Sequence, residues 1–173
     1  MSAPELCTAR LRLRAYNMND FRHFAEFYAS SRSEFADGPV SRSTAWAWFA
    51  GGAGRWALVG YGAWALERLE DGASLGVVSL NYPTELHEER ELGWLLWHGY
   101  EGLGYASEAA MAARQFAFEE LGWENLVSYI HKDNASSVRL AERLSAHFDA
   151  EASAAIPDKD TLVYRHKRVV VVR

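Results

Sequence analysis

Trp97-His98-Gly99-Tyr100-Glu101-Gly102-Leu103-Gly104-Tyr105-Ala106-Ser107-Glu108-Ala109 is the most informative stretch of the 173-residue chain. Glu91 to Trp97 reads as a strand, a glycine-rich turn follows, and helical spacing begins at Gly104. Such a turn exposes successive backbone N–H groups and aims a helix N-terminus at the same point, which suits a phosphate or pyrophosphate. Glycine belongs there because a side chain would hold a ligand off the backbone. Ala106, Ala109, Ala110, Ala113 and Ala117 give the helix a small-residue face that can lie close on a sheet. The spacing is not Gly-x-Gly-x-x-Gly, no Gly-Lys-Ser/Thr follows, and the loop comes late in the chain, which argues against dinucleotide and P-loop folds.

Downstream, Leu126 to His131 reads as a strand and Asn134 to His147 as a helix, with Asn134 as N-cap and Ser137 in the first turn. Phe148 to Ala152 and Leu162 to Val172 read as the last strands. Upstream, residues 10 to 16 alternate charged and apolar, the pattern of a half-buried strand. Asn19 or Asp20 then caps a helix carrying Phe21, Phe24, Ala25 and Tyr28. Ser30 to Ser43 reads as loop, and Thr44 to Ala50 as a short helix ending at Gly51-Gly52. Trp56 to Leu69 reads as a strand, Asp71-Gly72 as a hairpin turn, and Ser74 to Tyr82 as its partner. Gly104 to Leu121 is helical and Gly122 stops it. No linker or repeat interrupts residues 1–173, so a single domain is expected, of α/β class with a mixed sheet covered by helices.

Eighteen Lys plus Arg stand against 23 Asp plus Glu, a formal charge of -5. Non-specific nucleic-acid binding needs a basic footprint that this balance lacks. One cysteine, Cys7, excludes an internal disulfide, and no Cys/His cluster has zinc spacing, so no metal is expected. No stretch reaches the length of a membrane span, and no basic-then-apolar leader is visible, so a cytoplasmic location is the default. The many aromatic residues read as core and dimer contact, or more sharply as an aromatic-lined pocket. His98 and His131, near strand ends, read as structural or exposed.

Taken together, Glu91-Leu92-Gly93-Trp94, the run Gly102 to Ala109, and Asn134 to Leu144 resemble the motifs of the GNAT superfamily. They are most similar to its Rim-type branch, which includes ribosomal-protein N-terminal acetyltransferases. The Arg-Leu-Arg-Leu-Arg first strand and Val163-Tyr164-Arg165-His166 extend the likeness over nearly the whole chain. The resemblance implies a central, mostly antiparallel mixed sheet flanked by helices. It implies transfer of an acetyl group from acetyl-CoA to a primary amine, on a small molecule or a protein N-terminus, by direct attack in a ternary complex. It implies that backbone N–H groups of Trp94, Leu95 and Leu96 serve the carbonyl and pantetheine beside Trp97 and Gly99. Gly102, Leu103, Gly104, Tyr105 and Ala106 would hold the pyrophosphate, and Asn134 the pantetheine. Glu108 would face away from the phosphates.

Glu91 is the expected base or amine anchor, against the plainer reading of a solvated residue in the run Glu88-Glu89-Arg90-Glu91. Ser137 is the expected partner of the departing thiolate. Three departures from the family pattern stand out. Gly99 occupies a position where relatives carry Gln or Arg. Ala141 stands where many carry a Tyr that protonates the thiolate, and Ser145 replaces a Gly. Ala141 keeps a non-catalytic acyl-CoA or phosphate-ligand binding module in view. A homodimer is expected from family habit and the apolar run at Val169 to Val172.

Overall fold

The computed structural model describes residues 2–81 and 89–168. In chain order it contains β1 (Leu6–Cys7), β2 (Leu11–Arg14), α1 (Met18–Tyr28), a 3-10 turn (Ser31–Ala36), α2 (Arg42–Val59), β3 (Ala63–Arg68), β4 (Ser74–Asn81) and β5 (Glu91–Leu96). It continues with α3 (Tyr105–Glu119), β6 (Val127–His131), α4 (Ala135–Arg143), β7 (His147–Phe148), α5 (Ala150–Ala155) and β8 (Thr161–Arg165). The sheet order is β1-β2-β3-β4-β5-β6-β8-β7. Every neighbouring pair is antiparallel except β5 with β6. The expected mixed, mostly antiparallel sheet is therefore present.

Strand alternation sends the two faces of the sheet to different helices. Val77 and Leu95 join an aromatic cluster with Phe21, Phe24 and Phe49 of α1 and α2. Val78 and Leu92 instead pack with Ala106, Ala109, Ala110, Ala113 and Ala117 of α3, which are nearly or fully buried. The alanine face lets α3 approach the sheet closely, as its sequence suggested. Arg114 of α3 is buried and donates to the carbonyl of Leu144, tying α3 to the end of α4.

Several element boundaries differ from the sequence reading. The cap of α1 is Asn17, whose side chain accepts from the Asn19 N–H at 2.9 Å. Asp20 completes the box by accepting from the Asn17 N–H at 2.8 Å, while its carboxylate is held by Arg14 at 2.8 and 3.0 Å. The stretch from Ser30 to Ser43 holds a 3-10 turn rather than only loop. The helix expected to stop at Gly51-Gly52 runs on to Val59 and ends at Gly60, in the left-handed region at φ 79°. Trp56, read as strand, is therefore helical. Glycine disfavours a helix interior by about 1 kcal/mol, but Ala45, Phe49, Gly52 and Trp56 bury one continuous face. The Trp56 indole adds a bond to the Ala63 carbonyl at 2.9 Å. Burial decides where local propensity is weak.

At the other end α4 stops at Arg143, not at His147. Ser145 adopts φ 59°, and the Ala146 N–H returns to the Ala141 carbonyl at 3.0 Å, closing the helix. Phe148 to Ala152 is a strand only at Phe148 and then becomes α5, capped by Asp149. Cys7, placed ahead of the first strand by its sequence, lies in the short β1 and is exposed. Tyr82, Glu88 and Val169 to Val172 lie outside the described residues. No helix among the described residues is long and apolar enough to cross a membrane.

Candidate active site

The parallel strands β5 and β6 share a single paired position, Glu91 with Val127. One residue later a side chain replaces the ladder: Ser128 Oγ donates to the Leu92 carbonyl at 2.6 Å. The same Oγ lies 2.9 Å from Nε2 of His166. With the Ser128 proton spent on the carbonyl, His166 Nε2–H is the donor to Ser128. Burial drives the His166 pKa down to about 3, so the ring is neutral. Beyond this clamp the strands part. The carbonyls of Arg90 and Leu92 bond toward β6. Alternation along the strand puts the N–H and C=O of Trp94 and Leu96 on the same edge, now free of a partner strand, where the Leu96 carbonyl accepts from Arg32 Nη2 at 3.3 Å. Across the gap, Trp94 Nε1 donates to Ser137 Oγ at 3.2 Å.

Both strands lead into helix N-termini at this end of the sheet, the place where open α/β sheets bind ligands. After β5, Gly99, Gly102 and Gly104 take φ of 89°, 75° and 84°. These values are open to glycine and costly for other residues. Gly104 is the N-cap of α3 and supplies no capping side chain. The first-turn N–H groups of α3 are thus left pointing out of the helix. The loop is braced from below by Arg10, which donates to the Leu103 carbonyl at 3.0 Å. Glu108 faces away from the loop, as expected, and accepts from Thr8 Oγ1 and from the N–H and Nε of Arg10 at 2.6, 2.8 and 2.7 Å. Burial alone would raise its pKa, but these hydrogen bonds outweigh it and lower the pKa overall. After β6, the Asn134 side chain caps α4 by accepting from the Ser137 N–H at 3.2 Å.

On the α1–α2 side of the gap lies a cavity of about 530 Å³, walled by Tyr16, Tyr28, Trp48, Gly51 and Gly52 and floored by Arg55, Asn81 and Glu91. Asn81 orders the floor. Its carbonyl accepts from Arg55 Nη2 at 3.0 Å and its amide donates to Glu91 Oε2 at 2.8 Å. A Cβ on Gly93 would come 3.3 Å from the Asn81 amide, so glycine in the Glu-Leu-Gly-Trp motif leaves room for this contact. Burial raises the pKa of Tyr16 and of Tyr28 well above the ordinary phenol range. Both stay neutral hydroxyls at the wall. The aromatic residues thus serve both as core and as a pocket lining.

A family model for the acetyltransferase (GNAT) domain matches residues 10–147. This chain belongs to the GNAT acetyltransferase family. It is similar to an acetyltransferase from Agrobacterium tumefaciens str. C58, with 40% identity, a TM-score of 0.90, and coverage of 97% of this chain and 96% of that one. The RimL ribosomal L7/L12 alpha-N-protein acetyltransferase, in complex with coenzyme A, shares the fold. Its TM-score is 0.74 at 16% identity, with 94% of this chain and 97% of that one covered. Among curated proteins, YkkB of Bacillus subtilis (strain 168) is 30% identical over 93 residues, 51% of this chain and 54% of YkkB. The N-acetyltransferase YnaD of the same organism is 28% identical over 67 residues, 39% of each chain. The chain thus spans about half the length or less of the curated relatives it matches.

Within this GNAT domain the expected site residues other than Trp97 fall into two groups. Trp94, Leu96, Gly99, Gly102, Leu103, Gly104, Tyr105, Ala106, Asn134 and Ser137 gather along the gap and its two helix N-termini. Glu91 and Leu95 line the cavity, and Trp94 borders both gap and cavity. Trp97 is engaged elsewhere. Its indole bonds Ser74 Oγ at 3.2 Å, its N–H bonds the Leu75 carbonyl at 2.8 Å, and its ring packs on Phe24 and Phe27. Ala141 is fully buried with Ile130, Ala146 and Tyr164. Tyr129, another hydroxyl near the strand end, accepts from the Glu89 N–H at 3.2 Å. Sequence reasoning missed Arg10, Arg55, Asn81, Ser128 and His166. Only Arg55 left a signal, one helical turn after the Gly51-Gly52 pair that seemed to end the helix. Among the described residues no cluster of His, Cys, Asp and Glu could hold a metal.

Proposed function

We propose that the protein transfers an acetyl group from acetyl-CoA to a primary amine by direct attack in a ternary complex. The observation that carries this reading is the gap between β5 and β6, with an uncapped glycine-loop helix N-terminus on one side and the Glu91 cavity on the other. The residues fit coenzyme A: a Cβ on Gly99 or Gly102 would meet nothing within 4 Å, so the loop surface is open to a ligand. The N–H groups of Gly102, Leu103, Gly104, Tyr105 and Ala106 hold the pyrophosphate, that of Gly99 being taken by the Glu101 carboxylate at 2.8 Å, and the open edge at Trp94 and Leu96 holds the pantetheine together with Asn134. When bound, acetyl-CoA supplies the activated acyl group.

The chain's residues then meet three demands. The amine must be neutral, although free α-amines titrate near ~8 and lysine near ~10.4; Glu91 takes or directs that proton. The backbone N–H groups on the open edge of β5 face the thioester carbonyl. Ser137 Oγ, already accepting from Trp94, keeps its own proton to offer the departing thiolate where Ala141 has none. The fold shared with RimL is in keeping with the Rim-type branch, whose acceptors include small-molecule amines as well as protein N-termini. Turnover of acetyl-CoA with a panel of primary amines, followed as free thiol, tests the reading. Thermal stabilisation by CoA that is lost in Gly104→Val tests the loop. Stabilisation by CoA with no thiol release from any amine would leave a non-catalytic binding module instead.

A further inference from the structure

The floor of the cavity carries one feature that attack by an amine does not use. Arg55 is half-buried, and among the described residues it forms no ion pair. Its Nη2 bonds the neutral Asn81 amide, and its Nε is buried with no partner. Burial lowers its pKa, and the nearby charge of Glu91 offsets this only in part. Such a group is costly unless something pairs with it. The side chain borders the open cavity. Helical side chains lean toward the N-terminus, so Arg55 lies over the turn of Gly51 and Gly52, which line the same cavity. A Cβ on Gly51 would meet nothing within 4 Å.

Asn81 separates Arg55 from Glu91 by one amide group, with contacts of 3.0 and 2.8 Å on its two sides. The floor is therefore a short dipole, positive at Arg55 and negative at Glu91. Of the other carboxylates that line the cavity, Glu89 is paired with Arg165 at 2.6 and 2.9 Å, and Asp37 acts on the Tyr28 hydroxyl at the wall, away from the Arg55–Asn81–Glu91 chain of contacts. An amine without an anionic group would leave Arg55 unpaired. A zwitterion, with its nitrogen at Glu91 and a carboxylate on the guanidinium, matches both ends, and arginine pairs carboxylates in a planar fork.

We propose that Arg55 is the specificity-determining residue for the acceptor and that the acceptor class is amines carrying an adjacent carboxylate, as in a free α-amino acid. The proposal rests on the amine-acceptor reading above. The test compares matched pairs: L-phenylalanine with 2-phenylethylamine, L-tryptophan with tryptamine, L-histidine with histamine. In at least one pair kcat/KM should favour the carboxylate-bearing member by ten-fold or more, and Arg55→Met should reduce that preference below three-fold. Equal or reversed preference in every pair, or a preference that survives Arg55→Met, overturns it. Arg55→Lys keeps the charge without the fork and should give an intermediate preference; an unchanged one counts against the proposal even if the Met variant does not fold. If no compound is acetylated, the transfer reading fails, and calorimetric titration in the presence of CoA still decides this one. At least one amino acid should then bind ten-fold tighter than its amine, and absence of binding by all three overturns the proposal.

Discussion

Trp94 and Ser137 meet across the gap between β5 and β6, indole Nε1 to hydroxyl Oγ at 3.2 Å. The indole can only donate, so the Ser137 hydroxyl accepts there and its own proton remains to be given away. This contact fixes which way the serine can act. Ser137→Ala should lower kcat by roughly 10²-fold, the lower range of general acid help, with little change in CoA affinity. Trp94→Phe should lower kcat less, because it frees the hydroxyl to rotate but does not remove it. A Ser137→Ala enzyme within two-fold of the parent would exclude the hydroxyl from the mechanism. A larger loss in Tyr164→Phe would move the role to the tyrosine packed beside Ala141.

Glu91 is held by the Asn81 amide at one carboxylate oxygen. Steady-state kinetics of Glu91→Gln should show CoA binding kept and kcat/KM for the amine reduced by roughly 10²–10⁴-fold. Raising the pH should recover part of the loss, because free amine then accumulates without a base. Loss that is independent of pH would make Glu91 an anchor rather than a proton acceptor.

His166 makes stability depend on pH. Its pKa is about 3 in the folded protein against an ordinary value of 6.5. Between these values the unfolded chain binds more protons, so stability is full above pH 6.5 and falls as the pH drops toward 3. From pH 7 to pH 5 the ring should cost ~2 kcal/mol of unfolding free energy. Denaturant titrations at both pH values should show this dependence shrink in His166→Gln, whatever that change does to stability at pH 7. An equal pH dependence in the variant would contradict a buried, neutral histidine.

Ser145 sits at φ 59° just past α4, where the left-handed region strains any residue with a Cβ. Ser145→Gly should raise unfolding free energy by roughly 1 kcal/mol, since a left-handed residue with a Cβ costs ~1–2 kcal/mol and glycine gives part of this back as chain entropy. Thermal melts should show a higher Tm with unchanged turnover. A lower Tm would mean that the serine makes a contact that offsets its strain.

The glycine loop, β2 and the alanine face of α3 were legible in one dimension, because each is a local demand of the backbone or a repeat set by one face being buried. The Asn134 cap and the first-turn position of Ser137 follow from short-range helix rules, whereas the roles proposed for Glu91, Ser137 and Asn134 rest on resemblance to the family's motifs. Residues 42–59 were not legible. Local propensity says that Gly51-Gly52 should end a helix, and only burial of Phe49, Gly52 and Trp56 against the sheet carries it through. Arg55, Asn81 and Glu91 are separated along the chain and meet only when β4 pairs with β5 and α2 crosses beneath them. The Ser128–His166 clamp likewise joins β6 to the residue after β8. Backbone conformation and one-sided burial are written locally and can be read from residue order. The pairing of distant polar groups depends on sheet register and helix placement, which the whole fold settles at once.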